Sequence, residues 1–249
     1  MDLSEIRPDA DPAARHPWEL ARLEVVDRLL DRTPPASTML DVGCGDAWLL
    51  SQLSTRGRAD RYLGVDPELP AARHVNEAGA ELVQTLDDTT LEAHEVSHLL
   101  FLDVIEHVED DVGLLEAYAH HPSAREDATI LITVPMHPRL FVEHDRLLRH
   151  HRRYRREGLL DVVRRAGLRV VDDGGMFSSL LGPRALERAM EAVRPPQRET
   201  TDVGTWRAGE GVTEAIRSTL VADFRVSERL RRRGLRLPGL SHFVIASRG

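Results

Sequence analysis

Residues 38–50, TMLDVGCGDAWLL, decide how the rest of the chain is read. Met39, Leu40 and Val42 form an apolar run that reads as a buried strand, and Gly43 and Gly45 mark a turn directly after it. Apolar residues resume at Ala47, Trp48, Leu49 and Leu50, where the pattern predicts a helix starting near residue 46. Glycines at such a turn give the backbone access to positive φ and let a ligand come close to the main chain. The turn also aims the first N–H groups of the helix at that ligand. Doubly wound α/β proteins hold nucleotide-like molecules on units of this kind.

The flanking residues narrow the ligand. A dinucleotide fingerprint needs a third glycine for close helix–strand packing, and that place is filled by Trp48. Asp41, two residues before the first glycine, would repel a pyrophosphate and suit a cation. The next apolar run, Tyr62 to Val65, ends at Asp66. A carboxylate placed there accepts hydrogen bonds from ribose hydroxyls. An adenosine without phosphate and with a positive charge satisfies all three features, and S-adenosyl-L-methionine is such a molecule, with S-adenosyl-L-homocysteine as its spent form.

The motifs together resemble those of the class I S-adenosylmethionine-dependent methyltransferases. LDVGCGDAWLL (40–50) is similar to that family's first motif, GVDPEL (64–69) to its second, and FLDVIEHVED (101–110) to the stretch after its fourth strand. HPWELARLEVVDRLL (16–30) resembles the lead-in helix of one branch, and residues 131–159 resemble its proline-ended fifth strand and D…H.RRY loop. The resemblance implies a Rossmann-like, doubly wound, mostly parallel seven-stranded α/β sheet whose last strand is antiparallel. It also implies that the cofactor touches Asp41, Gly43, Gly45 and the Cys44 backbone, and Asp66 with Pro67 beside it. Thr85 and Leu86 would meet the adenine, and Leu102 and Asp103 the methionine portion. Trp18 is either a core anchor of the lead-in helix or a lid over the cofactor, and Asp66 either holds the ribose or caps the next helix, Pro67 suiting its first position.

Composition agrees with a soluble enzyme of one domain, 249 residues long and 41% apolar. No unbroken apolar stretch is long enough for a membrane span. The N-terminus, MDLSEIRPDADPAARH, lacks the apolar core of a signal peptide. A lone cysteine, Cys44, excludes an internal disulfide or a multi-cysteine zinc site, and the expected location is the cytoplasm. All thirty-three basic residues are arginine, which excludes lysine Schiff bases and a P-loop. A net charge of −8 argues against nonspecific nucleic-acid binding.

Alternating patterns predict strands near 38–42, 61–65, 81–84, 97–102, 128–134, 168–172 and 241–247. Helices are expected near 17–31, 46–55, 69–78, 111–120, 157–166, 183–193 and 212–233. The domain divides into a lead-in helix (1–35), a cofactor-binding core (36–175), a helical insertion (176–240) and a final strand (241–249). The insertion reads as a cap over the substrate side, or else as the seat of a homodimer.

Loop 136–156 holds His137, Glu143, His144, Asp145, His150, His151 and Tyr154. Unstructured loops of this length inside compact domains are usually functional. Its run RHHRRYRR reads as a seat for a carboxylate or phosphate of a small-molecule acceptor. Asp103, Glu106 and His107 open the segment after strand four, at the ligand-bearing edge of such sheets. A hydroxyl acceptor needs a base, for which His107, His144 and His150 are the candidates, with Asp145 as orienting carboxylate. No metal is assigned. Two other functions fit less of the chain. One is a metal-assisted RNA 2′-O-methyltransferase, whose acid-x-x-Glu-His set DVIEH (103–107) imitates with an aspartate for the first glutamate. The other is a non-catalytic cofactor-binding module.

Overall fold

The computed structural model describes residues 15–69, 73–86, 91, 93, 95–193, 206 and 208–248. The N-terminal segment up to residue 14 and most of the 195–211 connector lie outside the described residues. The chain runs α1 (Pro17–Leu30), β1 (Ala36–Val42), α2 (Trp48–Thr55), β2 (Ala59–Val65), β3 (Arg73–Val75), β4 (Glu81–Val83) and β5 (Val96–Leu102). It continues through α3 (Asp111–Ala119), β6 (Ala124–Pro135), α4 (Glu143–Leu147), α5 (Arg156–Arg165), β7 (Leu168–Met176), α6 (Leu181–Val193), α7 (Glu210–Arg232) and β8 (Ser241–Arg248). The strands form one sheet in the order β3-β4-β2-β1-β5-β6-β8-β7.

The seven expected strands are all present, and β8 runs antiparallel to both β6 and β7. One expectation fails. The helix predicted near 69–78 is replaced by the three-residue edge strand β3, antiparallel to β4. Asn76 turns the chain between them: its N–H is bonded to the Ala80 carbonyl, and its side chain accepts the Ala80 N–H. Gly79, at φ +79°, completes that turn rather than ending a helix.

Central strands are buried on both faces, as parallel strands covered by helices must be; every residue of β5 is buried. Alternate side chains feed two cores. On one face Met39, Leu100 and Phe243 pack with Val26 and Leu29 of α1, Leu50 and Leu53 of α2, and Leu220 and Phe224 of α7. On the other, Leu40, Phe101 and Ile132 meet Leu115 of α3 and Leu159 and Val163 of α5. The long helix of the insertion is therefore a layer of the domain, with the Phe224 and Phe243 rings 6.2 Å apart edge to face.

The segment 136–156, expected to be a loop, is ordered by a short 3-10 turn at Pro138–Leu140, by α4, and by a bridge between Met136 and Tyr154. Among the described residues no helix is long and apolar enough to cross a membrane.

Removing the Phe224 ring tests whether α7 is integral. Phe224→Ala should cost about 3–5 kcal/mol of unfolding free energy in urea, as for other large-to-small core changes. A loss below about 1 kcal/mol would detach the helix from the core.

Candidate active site

The carboxyl ends of β1, β5 and β6 open into a cavity of ≈ 700 Å³, where open α/β sheets hold their ligands. Its floor is the turn after β1. The Gly43 and Cys44 N–H groups both reach the Val65 carbonyl, at 2.7 and 3.2 Å. Gly43 lies at φ +70°, and a Cβ there would stand 2.8 Å from Val104 Cγ2, so a side chain is excluded twice over. Helix α2 starts at Trp48, two residues later than the pattern predicts, and the Asp46 carboxylate accepts the Trp48 N–H at 3.1 Å. An acid already occupies the helix N-terminus, so a phosphate is disfavoured there.

Asp41 lies on the cavity wall, 4% exposed, and burial together with Asp66 and Asp46 pushes its carboxyl up to about 7 despite the nearby Arg22. Asp66 sits behind the turn. One of its oxygens accepts the Gly45 N–H and the other the Glu68 N–H, both at 3.0 Å. It thus clamps the glycine turn, and each oxygen retains a second acceptor site. The Cys44 thiol is buried and its pKa is pushed upward by burial and the surrounding acids, so it is no nucleophile.

Of the residues singled out in the sequence, Trp18, Asp41, Gly43, Cys44, Trp48, Leu102, Asp103, Glu106, His107, His144 and His150 line this cavity. Gly45, Asp66, Pro67, Thr85, Leu86 and Asp145 lie off its described wall. Asp103, at φ +56°, turns back directly after β5 to accept from Arg22 at 2.9 Å and Thr133 at 3.2 Å. Arg22 was not singled out, and it stacks on the Trp18 ring with its guanidinium 4.7 Å from the centroid. Its position on α1, on the face shared with Val25, Val26 and Leu29, was the available signal, because a charge on a buried stripe needs a partner. Arg15 bridges Glu19 and Asp46 beside it.

The opposite end of the cavity is built by the loop after β6. Asp145 is fully buried and accepts from His150 Nδ1 at 3.0 Å, Arg153 Nε at 2.8 Å and the Val142 N–H at 2.9 Å. Burial works against its charge, but the His150 bond and Arg153 hold its pKa at about 2. Arg152 bonds Asp111 and the carbonyls of Val108 and Glu109, and Tyr154 donates to Asp111 at 2.8 Å. Arg156 is paired with Asp173. Within the basic run, Arg152, Arg153 and Arg156 are paired with the internal carboxylates of Asp111, Asp145 and Asp173, and Arg153 also lines the cavity.

The His107 and His150 rings meet edge to face at 4.6 Å, over Glu106, which is wholly buried. One ligating atom from each of these three lies within 4.8 Å of the others. Burial and Asp103 raise the Glu106 pKa well above the ordinary carboxyl range. His144 also faces the cavity, and its pKa is lowered by burial and by Arg184 of α6, which keeps the imidazole neutral near pH 7. Leu180, Pro183, Arg184 and Glu187 bring the start of the insertion onto the rim.

A doubly wound sheet with a glycine turn after its first strand and β8 antiparallel to its neighbours is the class I methyltransferase architecture. The family profile described as a methyltransferase domain matches residues 15–173, and the chain belongs to that family. No curated protein matches it. Among solved structures it is similar to geranyl diphosphate C-methyltransferase from Streptomyces coelicolor A3(2), crystallised with Mg²⁺, geranyl diphosphate and S-adenosyl-L-homocysteine (14% identity, 93% of this chain and 81% of that one, TM-score 0.54). It is similar also to an S-adenosylmethionine-dependent methyltransferase from Mesorhizobium loti (16% identity, 92% and 98% coverage, TM-score 0.52). The cyclase SpnF shares the fold as well (14% identity, 96% and 84% coverage, TM-score 0.50). At these identities the likeness establishes the architecture, and the chemistry must be argued from the cavity.

The raised Asp41 pKa has a measurable consequence. Between its ordinary value of 3.8 and about 7, the folded chain keeps a proton that the unfolded chain has released. This group therefore lowers stability as pH rises through that window, and the loss is complete above it. Thermal melting of Asp41→Asn against the parent, from pH 4 to 8, should show the variant losing less stability across the window. Parallel curves would remove Asp41 as a titrating group.

Proposed function

We propose that the protein transfers a methyl group from S-adenosyl-L-methionine to an oxygen or nitrogen of a small molecule bearing an anionic group. The observation that carries this reading is one cavity lined both by Asp41, Gly43 and Cys44 and by His107, His144 and His150. The cationic methionine end of the cofactor would be drawn to Asp41, and the turn excludes the phosphates of a dinucleotide. Asp66, held against Gly45, has acceptor capacity left for ribose hydroxyls. Trp18 and Arg22 of α1 cover the methionine side as a lid.

The donor's sulfonium carbon is already electrophilic, so the protein's work is mainly alignment and exclusion of water. The C–S bond breaks as the new C–O or C–N bond forms, and the sulfonium becomes a neutral thioether. A hydroxyl acceptor must also lose its proton. Neutral His144 is suited to take it, and the Asp145–His150 pair, with His107, orients the acceptor. We assign the acceptor's anionic group to Arg184 on the rim, which would exchange its ion pair with Glu187 for the acceptor. The insertion would act as a cap through α6. Leu186, Met190 and Val193 are exposed on that helix and favour its use in a homodimer as well.

Calorimetry with S-adenosyl-L-methionine, S-adenosyl-L-homocysteine and NAD tests the cofactor. Both adenosyl ligands should bind and NAD should not; heat with NAD alone would overturn the reading. Asp66→Ala should weaken homocysteine-product binding by about 1–3 kcal/mol. Arg184→Ala should raise the KM of an anionic acceptor without altering that affinity, and an unchanged KM would reassign the anion seat.

A further inference from the structure

Glu106 is the feature that methyl transfer as described leaves unused. Its side chain is 0% exposed, yet neither Oε1 nor Oε2 has a hydrogen-bond partner. Burying a carboxyl group in this state is costly. Asp103, Arg22 and Arg153 act on it electrostatically, and one donor atom each of His107 and His150 lies within 4.8 Å of a Glu106 oxygen and of the other. A bound first-row ion holds neighbouring donors roughly 3–3.5 Å apart at bonds of about 2.1 Å, so modest side-chain rotations would close the set.

His150 carries a second sign. Its Nδ1 is bonded to the fully buried Asp145, which fixes the ring and leaves Nε2 as the atom with an accepting lone pair. Carboxylate–histidine pairs of this kind stand behind metal ligands as well as behind bases. Asp145 is itself held by Arg153 and the Val142 N–H, so the ring is braced from outside the cavity.

We propose that Glu106, His107 and His150 form a binding site for a divalent transition-metal ion, with Asp145 as the positioning residue behind His150. Two imidazoles and one carboxylate suit Zn²⁺, Fe²⁺, Mn²⁺ or Co²⁺ better than Mg²⁺ or Ca²⁺, which favour all-oxygen sets. His107 and His150 line the methyl-donor cavity, so the ion's open positions face the acceptor. This rests on the methyl-transfer reading and refines it: the ion presents an acceptor oxygen to the methyl group and lowers the acceptor's pKa. The acceptor proton still passes to His144, which is outside the ligand set.

The test is titration of the metal-free full chain with Co²⁺, followed by visible absorption and calorimetry, with and without S-adenosyl-L-homocysteine. One Co²⁺ per chain is expected, with ligand-field bands. Glu106→Gln and His107→Ala should each weaken it at least tenfold while keeping the parent's circular dichroism and homocysteine-product affinity. His107→Ala replaces a partly exposed side chain, so it decides the matter if Glu106→Gln fails to fold. Product binding without Co²⁺ uptake, or uptake unchanged in the variants, overturns the metal site and leaves the methyltransferase reading standing. Co²⁺ uptake by a chain that binds neither adenosyl ligand would overturn the methyltransferase reading alone.

Discussion

The clamp between β2 and the turn after β1 is the constraint from which the site follows. The Val65 carbonyl accepts two successive N–H groups, from Gly43 and Cys44, and the Asp66 carboxylate accepts a third, from Gly45. Three consecutive donors are thereby fixed by the end of one neighbouring strand. The turn is tight enough that Gly64, in β2, must lack a side chain, since a Cβ there would stand 2.7 Å from Cys44 Sγ. Parallel pairing of β1 with β2 sets Val42 opposite Val65, so the glycines and Asp66 arrive at the same height. Everything in the cofactor end of the cavity inherits its position from that register.

The clamp also concentrates negative charge. Asp41, Asp46 and Asp66 converge within a few residues of the turn, and their mutual repulsion contributes to the raised pKa of Asp41. Arg22 and Arg15, both from the α1 end of the chain, supply the opposing charge through Asp103 and Asp46. The lead-in helix is thus an electrostatic part of the site. A ligand carrying a positive charge would relieve the remaining imbalance, whereas a pyrophosphate would add to it. This decides between cofactor classes more firmly than the count of glycines does.

The local part of this is legible in the sequence, and the antiparallel last strand is legible through the family resemblance. The strand–turn–helix of residues 38–50, Asp41 and Asp66 are defined by their near neighbours, and the parallel pairing of the central strands follows from strands alternating with helices. Across residues 69–78 the helical pattern is overridden by Asn76 and Gly79, which form a turn between two short strands. Arg22 and Arg184 escaped because their roles depend on partners distant in the sequence. For the basic run 149–156 the number of charges is plain in the sequence, but the location of Asp111, Asp145 and Asp173 is not, and those acids determine which way Arg152, Arg153 and Arg156 turn.

That internal pairing explains why so charged a segment can hold its histidines still. Tyr154 donates to Asp111, at the start of α3, and also reaches the Ile105 carbonyl, while the His151 N–H bonds the Glu106 carbonyl. The loop after β6 is therefore tied to the turn after β5 at several points. His150 comes from the first and His107 from the second, yet their rings lie against each other. An alignment-driven reaction needs such groups fixed to a fraction of an ångström. Arginines turned inward toward buried acids accomplish this, since each bidentate or doubly bonded guanidinium removes a degree of freedom from the segment carrying the histidines. The conspicuous charge of the loop serves rigidity first, and that rigidity leaves the imidazoles of His144 and His150 facing the cavity.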